Sequence, residues 1–433
     1  MKKTIALLCI MLCTFAAAQE NADSGYMYIY HNDKSIDRIP IAQIDSVTFV
    51  DSGQAESFGL PKVYITTPGG TAITSKTAWW EECTIRIIDE YGIENLNMNT
   101  SIRGRGNTTW TYPKKPYAIK LNSKAGVLGM PKHKRWVLLA NWMDRTLLRN
   151  DVSFEMARRI MELYLNDEHQ GNYYLCEHIK VDDNRVNIDE IDEKTDLSNE
   201  QHLTGGYILE YDKNTPNDEM NYFYTTVLNL PVAIKEPDED VITSWSHPGF
   251  LYIKGYINNL EQIFEDDKSN LARWDEISEL IDVESYIDWW LVHELTFNAE
   301  VLHPKSSYMY KKRNGKLYAG PVWDFDYGTF RSNASGILVT PAMYYRYMFR
   351  YPEFRTAVKE RWAEVKDILA GIDDYILEQA GLISASGDVN IAMWPITQLV
   401  NGDEKMTFAE AVESMRSVLK NRMRIVEDFI LAL

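Results

Sequence analysis

The sequence is poor in cysteine. It has four in 433 residues, and two of them, Cys9 and Cys13, fall within the first twenty positions. The other two, Cys83 and Cys176, form one disulfide or remain as two buried thiols, so a disulfide-stabilised framework and a cysteine zinc site are both excluded. The eight histidines form no HExxH pattern and no Gly-x-Ser-x-Gly motif occurs. These absences argue against a zinc metalloprotease and a serine esterase.

Positive charge is also in deficit. There are 45 Lys and Arg against 63 Asp and Glu, which gives a formal net charge of -18, and no block of basic residues stands out. Nucleic acid is therefore not an expected partner, because an acidic surface repels phosphate. The hydrophobic fraction of 45% excludes a disordered chain, and the length allows two or three domains, or one large domain with a small appendage.

Long apolar runs are absent except at the beginning. Residues 1–18 carry two lysines, then an apolar stretch, then three alanines, which predicts a secretory signal peptide cleaved after Ala18. No other stretch is apolar enough to span a bilayer, so we expect no membrane span after cleavage. Because the segment contains two lysines and no acid, its removal changes the net charge from -18 to -20. The predicted location is secreted: periplasmic, cell-surface or extracellular.

The pattern along the chain predicts an α+β protein. Residues 19–52 form a small β-rich unit, in which a β-hairpin turns at Asn32 and Asp33. Residues 62–433 form the main domain, with a β-rich part over 62–215 and a mainly helical part over 216–433. A hairpin with its turn at Asn314 and Gly315 interrupts the helical part. Residues 144–160 show helical spacing of apolar residues after an Asp N-cap.

The segment IRGRGN places two glycines around an arginine between predicted strands. Glycine lets the backbone approach a ligand closely, and guanidinium groups suit phosphate oxygens. This segment is also an ordinary turn in many proteins. The candidate phosphate-binding residues are Arg103, Gly104, Arg105, Gly106 and Asn107.

A lysine, Lys120, follows on the predicted strand YAIKL. A glycine-rich turn followed by a strand lysine is the layout of protein kinases, in which the lysine holds phosphates and pairs with a glutamate. The candidate partners are Glu155, on the predicted helix, and Glu177. The bland alternative is a solvated lysine on an ordinary strand.

Further carboxylates lie in the second half. Asp324 and Asp326, in VWDFD, follow an apolar approach and suit a hard cation such as Mg²⁺. Asn298 is a candidate second metal ligand, and Glu300 is a candidate carboxylate near the transferred group. Glu210 lies in GGYILEYD, on a strand predicted to link two lobes, and is a candidate for cofactor binding.

Taken together and in order, these segments resemble the CotH kinase family, the secreted or spore-coat protein kinases named after spore coat protein H. The similarity rests on SIRGRGNTTW with KKPYAIKL, LGMPKHKRWVLLANWMDRTLLRN, the run LYLNDEHQGNYYLCEHIKVDDNRVNI, TGGYILEYD, and HELTFNAE followed by AGPVWDFDYGTF. It extends over roughly residues 62–369.

The resemblance implies an atypical protein-kinase-like, two-lobed fold and transfer of the ATP γ-phosphate to Ser or Thr of a protein acceptor, with Mg²⁺ or Mn²⁺. It implies that Lys120 holds phosphate, that Asp324 binds the metal and that residues 103–106 form the phosphate-facing loop. Asn298 and Glu300 match an Asn-x-Asp element of the family. The catalytic residues implied are thus Lys120, Glu300 and Asp324, with Asn298, Asp324 and Asp326 at the metal.

The sequence departs from the family pattern at two places. Position 300 is Glu instead of Asp, which adds a methylene of reach, and a longer connection usual in the family is missing between Ile160 and Met161. Two alternatives to an active kinase remain open, and the departures favour the first of them. One is a kinase-like scaffold that acts as an extracellular binding or adhesin module for a host or cell-surface partner. The other is a glycoside hydrolase that uses Asp324 with Glu300. For the kinase, the acidic surface predicts a basic, Ser-rich acceptor.

Overall fold

The computed structural model describes residues 26–30, 36–40, 59–154, 160–165, 168–214 and 221–433. The chain divides into two compact units, Met1–Ser57 and Phe58–Leu433. In the first unit, strands β1 (Tyr26–Tyr30) and β2 (Ile36–Pro40) pair antiparallel, with Tyr30 opposite Ile36. This pairing confirms the predicted hairpin. Its turn, and the signal segment 1–18, lie outside the described residues.

The second unit begins with a closed β-barrel. Neighbouring strands pair antiparallel, and the barrel closes where its first strand pairs parallel with β8, Lys62 lying opposite Glu162. The strands follow the order β3-β4-β5-β6-β7-β9-β8 around the barrel. Their bounds are β3 Lys62–Thr66, β4 Trp80–Ile88, β5 Glu94–Gly104, β6 Tyr117–Val127, β7 Met130–Leu139, β8 Ile160–Leu165 and β9 Glu168–Glu177.

The two faces of the barrel strands have different neighbours. Ile119 and Leu138 are fully buried inside the barrel, as the alternation of side chains along a strand requires. Val137 and Cys176 point to the other face and belong to the large core of the second unit. The outer face of β7 and β9 is therefore the surface on which the rest of this unit packs.

A second, five-stranded antiparallel sheet has the order β11-β12-β10-β13-β14. Its strands are β10 Tyr207–Tyr211, β11 Tyr222–Tyr224, β12 Pro231–Glu236, β13 Ser307–Lys311 and β14 Leu317–Ala319. The pairing of β13 with β14 confirms the hairpin predicted around Asn314 and Gly315. Strand β10 precedes residue 215 but pairs with β13, Glu210 lying opposite Tyr308. The predicted division at residue 215 thus separates strands that share one sheet.

Helices dominate the second half and pack around α5, which contacts both α7 and α9. The mixed α/β composition, with a β-rich first half and a helical second half, confirms this part of the prediction. The helices are α1 Arg149–Phe154, α2 Glu200–Leu203, α3 Pro248–Asp267, α4 Trp274–Leu280, α5 Val283–Leu295, α6 Tyr345–Met348, α7 Pro352–Ala370, α8 Ile372–Met393 and α9 Phe408–Ala432.

The helix predicted over residues 144–160 is wrong at both ends. It begins at Arg149, because the Asp144 carboxylate accepts the N–H groups of Thr146 at 2.9 Å and Arg149 at 2.8 Å and holds a turn there. At the other end, Ile160 begins strand β8, which pairs with β9. Long-range strand pairing has overridden the local helical spacing. Glu155 lies outside the described residues.

The two cysteines of the second unit, Cys83 and Cys176, are free and buried. The sequence left open a disulfide or two buried thiols, and the structure has two buried thiols. Burial raises the pKa of Cys176 to about 12, so this thiol stays protonated at neutral pH.

No helix in the described ranges combines the length and the apolar character needed to cross a bilayer.

Candidate active site

A cleft of about 920 Å³ lies between the barrel and the second sheet. On the barrel side it is lined by Arg103, Ala118 and Arg135, from three adjacent strands. On the other side it is lined by Glu210 and Tyr308, which are opposite each other on β10 and β13. The cleft therefore brings together residues that are distant in the chain, with a lining that runs from Lys76 to Gln398.

Four carboxylates meet at one end of this cleft. Asp212 follows β10, Glu300 lies in the turn after α5, and Asp324 and Asp326 follow β14. Burial and the charge of Asp324 raise the pKa of Glu300 to about 7, and burial raises that of Asp212 to about 6. Burial and Asp324 hold the pKa of Asp326 well above its usual range. Burial and the mutual repulsion of these acids thus favour their protonated forms.

The Asp324–Asp326 element is held in an unusual backbone conformation. Asp324 has φ +68°, in the left-handed region that non-glycine residues seldom adopt, and its carboxylate accepts the Ser306 hydroxyl at 3.1 Å. The next residue, Phe325, donates its N–H to Asn150 Oδ1 at 2.7 Å and stacks on His293 with ring centroids 5.0 Å apart. These contacts fix the directions of both aspartates.

A buried asparagine from the segment before α9 clamps the same element. Asn401 accepts the N–H of Gly328 at 2.7 Å through Oδ1, and its Nδ2 donates to the carbonyls of Met143 at 2.9 Å and Asp326 at 3.0 Å. Sequence reasoning missed Asn401, because it lies 75 residues beyond Asp326 and no local pattern marks it.

Glu300 is oriented by two neighbours. Lys305 donates to its carboxylate at 3.1 Å, and Asn298 accepts its backbone N–H at 3.0 Å. The Asn298 amide also lies 3.1 Å from His293 Nδ1, so its side chain caps the turn. Asn298 is buried and does not line the cleft. In the structure this predicted metal ligand caps the turn that carries Glu300.

The glycine-rich segment lies along the cleft as predicted, and Arg103, Gly104, Arg105, Gly106 and Asn107 all line it. The two glycines are needed sterically. A Cβ at Gly104 would lie 2.2 Å from the Trp110 ring, and Gly106 has φ +85°. The Arg105 guanidinium lies 5.4 Å from the centroid of the Trp323 ring, next to Asp324 in the chain.

A short segment ahead of β4, residues 75–79, covers this loop. The carbonyl of Ser75 accepts the Gly104 N–H at 2.9 Å, and Lys76 Nζ donates to Gly106 O and Asn107 Oδ1, each at 3.2 Å. Lys76 therefore adds a cation at the loop. The sequence offered no signal for this contact, which depends on the pairing of β4 with β5.

Lys120 is not among the residues that line the cleft. It is exposed on β6, directly opposite Arg135 on β7, and only Arg135 lines the cleft. Glu177 is likewise outside the lining and forms an ion pair with Arg185 at 3.2 Å. Lys120 and Glu177 thus form no pair in the part of the chain that the structure describes, and the other candidate partner, Glu155, lies outside it.

Glu210, by contrast, is part of the cleft wall. The Tyr308 hydroxyl donates to Glu210 Oε1 at 2.8 Å, and Lys235 Nζ lies 3.3 Å from Oε2. Both carboxylate oxygens of Glu210 are thus engaged by protein groups.

We tested whether the residues present fit a divalent cation. Within the described ranges, no three carboxylate, histidine or cysteine side chains converge closely enough to hold a metal ion by themselves. Asp324 and Asp326 nevertheless provide hard oxygen donors in mutual contact, and burial with the charge of Asp324 raises the pKa of Asp326. Mg²⁺ is commonly held by one or two carboxylates together with substrate phosphates and water, so this pair fits that mode of binding.

Fold and site together define a mixed α/β protein whose cleft sets a carboxylate cluster against a cationic, glycine-rich loop. A family model described as CotH kinase protein matches residues 102–426, three quarters of the chain. The chain therefore belongs to the CotH kinase family, which confirms the resemblance found in the sequence. The family is one of kinase-like proteins, which in general use ATP and a divalent metal. No curated protein matches the chain.

Proposed function

We propose that this protein is a secreted, two-lobed kinase that transfers the γ-phosphate of ATP to a Ser or Thr hydroxyl of a protein acceptor. The observation that carries the proposal is the shared cleft. It holds four carboxylates, from Asp212 to Asp326, at one end and the arginines of the glycine-rich loop along one wall. Phosphoryl transfer depends mainly on such positioning and charge compensation.

In this proposal Asp324 and Asp326 hold the divalent cation. The cation, when bound, neutralises phosphate charge that would otherwise repel the carboxylates. The contact between the two aspartates and the raised pKa of Asp326 support this assignment, since a cation would relieve the repulsion. The Ser306 hydroxyl donates to Asp324, and the Phe325 N–H donates to Asn150. These two hydrogen bonds keep the segment from Asp324 to Asp326 in place.

Glu300 is the proton acceptor for the acceptor hydroxyl. The hydroxyl oxygen forms a bond to the γ-phosphorus, the bond from that phosphorus to the β,γ-bridging oxygen breaks, the proton passes to Glu300 and ADP leaves. A pKa of about 7 suits this role, because a base works best when its pKa is near the operating pH. Lys305, at 3.1 Å, orients the carboxylate.

The acceptor is proposed to be basic and Ser-rich. Residues Asp238, Glu239 and Asp240 line the cleft and add negative charge to it. A positively charged peptide would be attracted there. Secretion follows from the signal segment predicted at residues 1–18.

The test is transfer of labelled phosphate from ATP to a basic Ser peptide with Mg²⁺ or Mn²⁺. We expect Asp324→Asn to abolish transfer while thermal unfolding stays cooperative, and Asp388→Asn, an exposed change on α8, to leave transfer unchanged. Full transfer by Asp324→Asn would refute the proposed site. A wild-type protein that is stabilised by ATP and Mn²⁺ but transfers nothing would instead support the binding-module alternative.

A further inference from the structure

Two arginines of the barrel lie over one indole in the cleft. The guanidinium carbon of Arg103 is 4.6 Å from the centroid of the Trp79 ring, and that of Arg135 is 5.0 Å from it. All three residues line the cleft and are half-buried. We call them the Arg–Trp cluster. The flat ring holds both guanidinium groups in fixed orientations, because cations are attracted to its face.

Among the described residues, the arginines of the Arg–Trp cluster form no ion pair with an acid. In the part of the chain that the structure describes, neither Arg103 nor Arg135 forms an ion pair, whereas Lys235 and Lys305 in the same cleft are paired with Glu210 and Glu300. Arg103 Nε is buried with no hydrogen-bond partner in the described structure. Its Nη1 reaches only the Thr77 carbonyl, at 3.5 Å.

This arrangement is unfavourable without a ligand. Burial lowers the pKa of Arg103, with a smaller contribution from Arg105, and burial together with the charge of Arg103 lowers that of Arg135. Two neighbouring positive charges with unused donors are compensated best by a ligand with several negative charges. Phosphate oxygens match the guanidinium fork.

The strand register places two cations side by side on the same outer face of the barrel. Lys120 on β6 and Arg135 on β7 are directly opposite each other. Arg135 reaches Trp79, while Lys120 is exposed and outside the lining. Arg135 on β7 thus provides in the cleft the cation that was expected from Lys120 on β6.

We infer that Arg135 and Trp79, together with Arg103, form a polyphosphate-binding subsite that takes the phosphate chain of the nucleotide. Arg135 is the principal new ligand-binding residue, and Trp79 positions it. The inference deepens the proposed function and rests on it for the identity of the nucleotide. The chemistry recognised, a chain of phosphate groups, can be tested without any transfer reaction.

The test is calorimetric titration of the full chain with inorganic tripolyphosphate at low salt and without metal. We expect Arg135→Gln to weaken binding by about ten- to a hundredfold, because it removes a charged donor pair. Arg135→Lys should give an intermediate loss, since an ammonium keeps the charge but lacks the fork. Trp79→Leu should weaken binding without changing charge. Lys134→Gln, an exposed change of equal charge next to Arg135 on β7, should stay within about twofold of wild type.

Two outcomes would overturn the inference. In one, Arg135→Gln binds tripolyphosphate as the wild type does. In the other, Lys120→Gln weakens binding as strongly as was expected of Arg135→Gln, while Arg135→Lys and Trp79→Leu have no effect. Thermal unfolding of each variant identifies any that fails to fold, and Arg135→Lys then carries the test. Tripolyphosphate binding that depends on Arg135 in a protein that transfers no phosphate would refute the proposed function but keep the subsite.

Discussion

Glu300 shows how one side chain acquires its properties from its neighbours. Its carboxylate is largely buried, feels the negative charge of Asp324, and forms an ion pair with Lys305. The added methylene, relative to aspartate, lets the carboxylate reach Lys305 while its backbone N–H stays bound to Asn298. A buried acid beside another acid favours its protonated form.

We therefore predict that Glu300→Gln stabilises the metal-free protein in a pH-dependent way. The folded-state pKa of about 7 lies above the ordinary value of 4.5, so wild type loses stability relative to the variant as the pH rises from about 4.5 to about 7. The gain should vanish near pH 4 and reach about 1–3 kcal/mol at pH 8. Urea unfolding in the presence of a chelator measures it. Glu279→Gln, an exposed change on α4, is the control. A gain that does not change with pH would contradict the prediction.

At the scale of elements, the position of α5 matters most, because the turn with Asn298 and Glu300 follows its last residue. A fully buried ion pair ties α5 to α9: Arg422 Nη2 lies 2.7 Å from Glu294 Oε1. Glu294 also accepts the N–H groups of Leu338 and Val339, each at 2.7 Å. Removing the arginine would leave a buried, uncompensated carboxylate.

Arg422→Met should accordingly destabilise the protein by about 3–5 kcal/mol. The matched control is Arg424→Met on the same helix, whose pair with Asp428 is about two-thirds exposed and should change stability by less than about 1 kcal/mol. Denaturant midpoints of the two variants and the wild type provide the comparison. Equal midpoints for Arg422→Met and Arg424→Met would show that the buried pair does not anchor α9.

For the molecule as a whole, charge is distributed unevenly. The chain has an excess of acidic residues, with a formal net charge of -18, yet Arg103, Arg105 and Arg135 lie together in one cleft without acidic partners in the described structure. The acidic exterior and the residues at 238–240 would attract a basic polypeptide, while the arginines would attract phosphate. One cleft would thus offer complementary charge to both kinds of ligand.

This distribution predicts a salt-dependent choice of acceptor. A basic Ser peptide should have a lower KM than an acidic one at low ionic strength. Their difference should shrink as salt rises from about 0.05 to about 0.5 M, since added ions screen exposed charges. Initial rates of labelled phosphate transfer, with an uncharged Ser peptide as control, measure it. The prediction fails if the acidic peptide is preferred, or if salt leaves the ratio unchanged.

Much of the candidate site could be predicted from the sequence, because the local conformation and chemistry of a short motif depend little on distant residues. Only glycine fits the close approach at position 104 and the positive φ at position 106 without strain. Only Asp or Glu provides the carboxylates found at positions 324 and 326. Their order along the chain also revealed the family. The hairpin at Asn314 and Gly315 was predictable for the same reason, since its turn is local.

The sequence by itself thus determined the family, the β-rich and helical halves, the glycine-rich loop and the paired aspartates. Only the tertiary structure decided that Arg135 rather than Lys120 faces the cleft, that Asn298 caps a turn, and that Asn401 clamps the aspartates. The physical reason is that the side chains of a strand that reach a cleft depend on the elements packed beside them, as Trp79 lies beside Arg135, and hydrogen bonds between distant segments depend on packing. Neither is encoded in a short stretch of residues.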